Sequence, residues 1–363
     1  MVRKMAVLLG CIVVLVLSQS FCGKNASRQQ HISYQLIDFA QSERLWTGIA
    51  VSMEGRVFTN YPRWSEDVPV SVAEITASGD AIPFPNTRWN SWDSSKPPID
   101  YFVCVQSVTV DRENFLWILD PALSIYHGGV VEGGPKLIKI DLATNRIVQK
   151  IVFESDVAPR RSYLNDVRVD TELGFAYITD SGLGAIVVVD LSTGESRRLL
   201  TDHPSVEAED VTLTIEGREW LRPDGSRPQV HSDGIALDGN GEYLYYQALT
   251  GYSLYHIHTK WLRDTTLTES QLGEKVERLG RPGAADGIAY GQDDHVYLTS
   301  LEFNAIRRFD PAGRVEIVVQ DSLLKWPDSI AFATDGSIYV TTSQLHLGNQ
   351  RTEPYRILKL EPC

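Results

Sequence analysis

The chain has 363 residues, of which 43% are hydrophobic and 22% charged, enough to build a large core. Its 47 acidic residues outnumber its 34 basic ones, for a formal net charge of −13. So acidic a surface repels phosphate backbones and anionic lipid, which argues against nucleic acid as a partner and for small molecules and cations.

In chain order, the first segment is MVRKMAVLLGCIVVLVLSQS, with Arg3 and Lys4, an apolar run from Ala6 to Leu17, and small residues at Ser18 and Ser20. This is the order of a secretory signal. Residues 1–20 are therefore expected to be removed on export, leaving residues 21–363 as a single secreted or periplasmic domain. The apolar run is short for a bilayer and no later run is more apolar, so no membrane span is expected. Loss of Cys11 with the signal leaves Cys22, Cys104 and Cys363, which allow at most one bridge.

A strand-like run, HISYQLIDF, follows. Then a short pattern recurs six times: TGIAV at Ile49, QSVTV at Val108, NDVRV at Val167, DGIAL at Ile235, DGIAY at Ile288 and DSIAF at Ile330. The intervals are 59, 59, 68, 53 and 42 residues. A turn and a second β-rich run follow each copy, such as NFLWILD, GFAYITDS and DHVYLTS, and often a third, such as AIVVVDLSTG. β-branched and aromatic residues broken by Gly, Asp and Asn are strand and hairpin chemistry. Six such units predict an all-β, six-bladed β-propeller with a central channel. Only 33 residues follow Ile330, enough for three strands, so the last blade is expected to take its outer strand from HISYQLIDF and close the ring. Two long loops, PFPNTRWNSWDSSKPP at 83–98 and TDHPSVEAEDVTLTIEGREWLRPDGSRPQV at 201–230, are candidate lids.

These residues resemble a known family. SDGIALDGNGEYLYYQALTGYSLYHIHTKWLRD, PFPNTRWNSW, FLWILD, AYITDSGLGAIVVVDL, YLTSLEFNAI and PYRILKL are similar to the Yellow and major royal jelly proteins, from about Leu45 to the C-terminus. The resemblance implies a six-bladed propeller that is secreted. Family members are linked to dopachrome conversion, to binding of biogenic amines, or to storage. A more distant architectural likeness is to gluconolactonase-type propellers, which hold a divalent metal on Glu, Asn and Asp. Asn165 and Asp233 match two of those ligand positions, but Thr47 stands where the glutamate belongs.

The first strand of each propeller blade lines the channel. The residue two before each aligned apolar position is Thr47, Gln106, Asn165, Asp233, Asp286 and Asp328. All carry oxygen, and three carboxylates on one ring must be neutralised by a cation, by protonation or by hydrogen bonds. Two readings stand: a ligand ring, fit for a hard divalent cation such as calcium, or structural ties between blades, with Gly234 and Gly287 allowing close approach. Asn304, after a second strand, joins the candidate ligand residues. His231, two before Asp233, is the candidate general acid or base. Trp46, Trp64, Trp89, Trp92, Trp326 and Tyr61 form a candidate aromatic lip. Strand directions place Cys363 beside the start of the closing strand, so Cys22 is expected to pair with Cys363, leaving Cys104 free. Three functions remain open: a propeller binding a small aromatic or cationic molecule, with or without isomerase-type turnover; a metal-dependent lactonase-type hydrolase; or a non-catalytic protein-binding propeller.

Overall fold

Each repeat folds as one four-stranded antiparallel sheet, and six such sheets form a six-bladed propeller. The computed structural model describes residues 33–363 except residue 66 and residues 125–127. The inner strands are Ile49–Val51, Ser107–Val110, Leu164–Asp170, Ser232–Leu237, Ala285–Tyr290 and Pro327–Phe332, where the repeats place them. The sixth blade is composite. Its outer strand, Tyr34–Ser42, runs antiparallel to Tyr355–Pro362, with Tyr34 opposite Pro362. One end of the chain thus covers an edge that the other leaves open. The Cys363 N–H donates to Ser33 O at 2.9 Å, so Cys363 does sit beside the start of the closing strand. Cys22, and with it the expected bridge and the signal segment, lies outside the described residues. Cys104 is buried and Cys363 exposed.

The core lies between blades. Trp117, Leu119 and Leu137 of the second blade pack on Leu164, Val167, Ala176 and Val187 of the third. Alternating inward residues on both faces of each sheet make this possible, because every inner sheet face meets a neighbour. Two five-residue helices, Thr259–Arg263 and Glu269–Gly273, interrupt the fourth blade. Among the described residues no helix is long and apolar enough to cross a membrane.

Four inner strands carry a bulge at the same place. The pairs Asn165–Asp166, Asp233–Gly234, Asp286–Gly287 and Asp328–Ser329 each lie where the ladder register shifts, two residues against one. The residue opposite is Thr179, Gln247, Thr299 or Thr341. Three of these threonines bridge to the next blade. Thr179 Oγ1 donates to Asp233 O at 2.6 Å, Thr299 Oγ1 to Asp328 O at 3.0 Å, and Thr341 Oγ1 to Thr47 O. The seam is so close that a Cβ on Gly234 would lie 2.5 Å from Asp286 O and 3.3 Å from Ile288 N; at Gly287 the fit to Asp328 O is closer still. Hence the repeated Asp-Gly: the aspartate is turned toward the axis, and glycine lets the next backbone approach.

This seam generates the first prediction. Gly234→Ala should destabilise the propeller by about 2 kcal/mol, the usual scale for overpacking against rigid backbone. Gly239→Ala, where a Cβ would meet nothing within 4 Å, should change stability by no more than about 0.5 kcal/mol. Urea unfolding of the two variants checks this; equal effects would show that the seam tolerates a side chain.

Candidate functional site

Five of the six residues expected at the channel mouth come together. Gln106, Asn165, Asp233, Asp286 and Asp328 line one cavity of about 270 Å³, with Trp64, Tyr163, Ser181, Trp220, Val230, Leu249 and Leu345. The sixth, Thr47, does not join them. Its hydroxyl donates to Gln106 O at 3.0 Å and accepts from Asn60 Nδ2 at 2.8 Å, so it is a tie within the blade seam.

The approach to the inner strands of the second and third blades is held by an aspartate at the end of the second strand. Asp120 accepts from the N–H groups of Val103 and Cys104, at 2.7 and 2.9 Å, and from Lys136 Nζ at 2.8 Å. Asp180 accepts from Ser162 Oγ at 2.7 Å and Tyr163 N at 2.9 Å. These carboxylates orient the segments that deliver Gln106, Tyr163 and Asn165, and they do not enter the cavity.

Within the cavity the hydrogen bonds run in one direction. Trp64 Nε1 donates to the Tyr163 hydroxyl (2.9 Å), which donates to Gln106 Oε1 (2.7 Å). Gln106 Nε2 donates to Asn165 Oδ1 (3.2 Å), and Asn165 Nδ2 donates to Asp233 Oδ2 (2.7 Å) and Ser181 Oγ (2.9 Å). The Asp233 carboxyl in turn donates to Asp286. From the other side Trp326 Nε1 donates to Asp286 Oδ2 at 2.6 Å. Asp286 is thus the acceptor at which both arms end.

Asp233, Asp286 and Asp328 are only 3%, 8% and 4% exposed. Burial first, and then mutual repulsion, holds Asp233 and Asp328 well above the ordinary carboxyl range. Burial also raises Asp286, to about 7, against the opposing hydrogen bonds from Trp326 and Asp233. Burial thus favours the protonated forms of Asp233 and Asp328 over those of ordinary carboxyls, and Asp286, at about 7, exchanges its proton near neutral pH, an arrangement suited to moving a proton.

The aromatic lip is narrower than expected. Trp64 lines the cavity. Trp326 stands behind Asp286 and meets Trp220 edge-to-face at 4.8 Å. Trp46 packs on Tyr61 at 5.9 Å and Trp89 on Phe102 at 5.2 Å, while Trp92 is buried in a separate cluster. Of the two long loops, 201–230 does reach the mouth, through Trp220 and Val230. It forms a hairpin, Thr214–Ile215 with Arg218–Glu219, whose turn residue Glu216 accepts from His346 Nε2 at 2.9 Å and Asn304 Nδ2 at 3.1 Å. Asn304 is therefore an anchor of the hairpin and lines no part of the cavity. The 83–98 loop is a brace: Asn90 Oδ1 accepts from the N–H groups of Ser71 and Val72, at 2.8 and 2.9 Å.

His231 stands outside the cavity lining. Its Nδ1 accepts from Ala208 N at 3.1 Å, and burial lowers its pKa. The divalent cation is also a poor fit. Asn165 and Asp233, the two expected ligands, are bonded to each other, and Thr47 is committed to the seam. Among the described residues no group of three His, Cys, Asp or Glu is arranged to hold a metal ion. Tyr163 and Trp220 are the residues that repeat alignment misses. Both lie in connections, and the only sequence signal was the extra length before Ile235.

The raised carboxyls predict an unusual pH dependence. A carboxyl whose folded pKa exceeds its unfolded value of about 3.9 favours folding while protonated. Its contribution is fully present below that unfolded value and is lost as pH rises through the folded one. Each pH unit between the two values removes about 1.4 kcal/mol. For Asp286 this window runs from about pH 4 to 7. The stability advantage of Asp286→Asn over wild type should therefore grow across that window and level off above it, which thermal unfolding at a series of pH values will measure. A difference independent of pH would mean that Asp286 ionises normally.

Comparison with known proteins agrees with this architecture. The family profile described as "Major royal jelly protein" matches residues 103–358. The chain is 23% identical over 335 residues to Protein yellow of Drosophila guanche, covering 82% of this chain and 57% of that protein. It is 23% identical over 219 residues to Major royal jelly protein 7 of Apis mellifera, covering 58% and 46%. A dopaminechrome tautomerase of Drosophila melanogaster is 24% identical over 204 residues, covering 51% and 42%. The chain thus spans about half the length of these curated relatives. Among solved structures, a gluconolactonase from Xanthomonas campestris superposes with a TM-score of 0.55 at 13% identity, covering 91% of this chain and 90% of that one, which shows a shared fold. With the profile spanning more than half of its length, the chain belongs to the major royal jelly protein family.

Proposed function

We propose that the chain is an exported propeller whose mouth binds a small aromatic amine or its oxidised, cyclised product and moves a proton on it. The observation that carries this reading is the adjacent carboxyl pair Asp233–Asp286, both raised by burial and Asp286 to about 7, in a cavity walled by Trp64, Tyr163 and Trp220. A protonated amine favours the ionised form of a lining carboxyl such as Asp286, and no cation lines the cavity to oppose it. Aromatic walls stack on a ring and favour a nearby positive charge.

A tautomerisation needs one base and one acid and no oxidant. In this reading Asp286 takes a proton from a carbon made acidic by an adjacent iminium. Asp233 returns a proton at the position where electron density arrives, and exchange between the two carboxyls resets the pair. Tyr163, held by Trp64 and Gln106, orients the ligand from the wall. The dopaminechrome tautomerase among the relatives supports this class of reaction. The signal-like residues 1–20 and the family support export.

The test is conversion of dopaminechrome, followed by loss of its visible absorbance. Asp286→Asn should lower kcat by at least about 100-fold, the scale of a lost general base. Trp220→Ala should raise KM with a smaller effect on kcat. Saturable binding of dopamine without any turnover would replace the enzyme by an amine-binding protein. Neither binding nor turnover would overturn the reading.

A further inference from the structure

The channel has a second cavity. Along five of the six inner strands the mouth residue lines the first cavity, and later residues of all six line another of about 320 Å³. The division falls at the bulge: Asn165 faces the mouth while Asp166 and Arg168 line the second cavity, and Asp328 and Ser329 divide likewise. The two cavities therefore occupy opposite ends of one axis.

Their chemistry is opposite as well. The mouth is lined by three aspartates and no cation, whereas the charged residues of the far end are Arg112, Arg168 and Asp166. In a chain of net charge −13 this is a local excess of positive charge. Arg168 is largely buried and donates one N–H to Val167 O at 2.8 Å and another to Ile288 O at 2.9 Å. The Asp166 carboxylate stands 3.8 Å from it, beyond hydrogen-bond range. Burial also raises the Asp166 pKa, which weakens its power to neutralise the arginine. Those two backbone carbonyls fix the plane of the guanidinium and leave N–H donors on a side chain that borders the cavity. Val51, Val108, Leu237, Ile330 and Phe332 supply apolar wall.

We propose that this end of the channel is a second ligand site, for a small organic carboxylate with an apolar body. A planar guanidinium pairs two N–H groups with two carboxylate oxygens, and Arg112 adds a second positive charge from the rim. The apolar wall takes the rest of the ligand, which selects an organic acid over inorganic phosphate.

Calorimetric titration of the purified full chain with benzoate, at constant ionic strength, tests this. Benzoate should bind saturably to wild type and also to Asp286→Asn, whose side chain lines the mouth and not this cavity. Arg168→Gln and Arg112→Gln should each weaken it at least ten-fold. Arg112 is exposed, so its variant keeps the test valid if Arg168→Gln fails to fold. Inorganic phosphate should bind at least ten-fold more weakly than benzoate. Absence of saturable binding, binding unchanged in the arginine variants, loss of binding in Asp286→Asn, or equal affinity for phosphate would each overturn the proposal.

Discussion

Six strands crowd around one axis, and at two of the seams between them there is less room than a Cβ needs. That constraint organises the rest of the molecule. Gly234 and Gly287 sit where the next blade's backbone presses closest. Threonine hydroxyls from the second strands bond across three seams, one of them the seam of Gly287, to the carbonyls of Asp233, Asp328 and Thr47. The bulge that precedes each contact turns one side chain toward the axis and the next away from it. Structural tie and functional ring, which looked like rival explanations of the repeated Asp-Gly, are two consequences of one geometry. The backbone of the aspartate ties the blades, and its side chain is delivered to the channel.

Delivering three carboxyls to one buried axis has an electrostatic cost, and the site meets it by protonation and directed hydrogen bonds. The chain from Trp64 through Tyr163, Gln106 and Asn165 donates toward Asp233, and Trp326 donates to Asp286 from the opposite side. Donors on both sides converge on Asp286, so negative charge is most favourable there. Burial raises all three carboxyls, and the hydrogen bonds from Trp326 and Asp233 oppose that rise at Asp286. The same tryptophan links chemistry to cover. Trp326 touches Asp286 with its indole N–H and Trp220 of the inserted hairpin with its ring. The hairpin is pinned in turn by Glu216 to His346 and Asn304.

The fold is shared with propellers of other chemistry, including a gluconolactonase. At Thr47 the hydroxyl is spent on the neighbouring blade. The far end of the channel, built from later residues of the same strands, is positively charged where the mouth is acidic. A single set of inner strands thus presents two unlike surfaces, because the bulge changes which residues face the axis.

The blade count, the inner-strand starts, the closing N-terminal strand and five of the six mouth residues were all legible in the sequence. Each follows from a repeat, and a repeat that recurs in register places its side chains by strand periodicity alone. The failures share one cause. Thr47 matched the repeat, yet its short hydroxyl found a carbonyl in the seam before it could reach the axis. His231 lay next to Asp233 in sequence, but the path of the inserted segment gave its Nδ1 the Ala208 N–H as a partner. Asn304 followed the right strand and was drawn to Glu216 on the hairpin. Tyr163 and Trp220 belong to connections, whose course depends on contacts with distant blades and carries no period. Local pattern therefore determined which strands line the channel. Only tertiary structure decided which side chains reach it, because partners tens of residues away compete for every polar group near the axis.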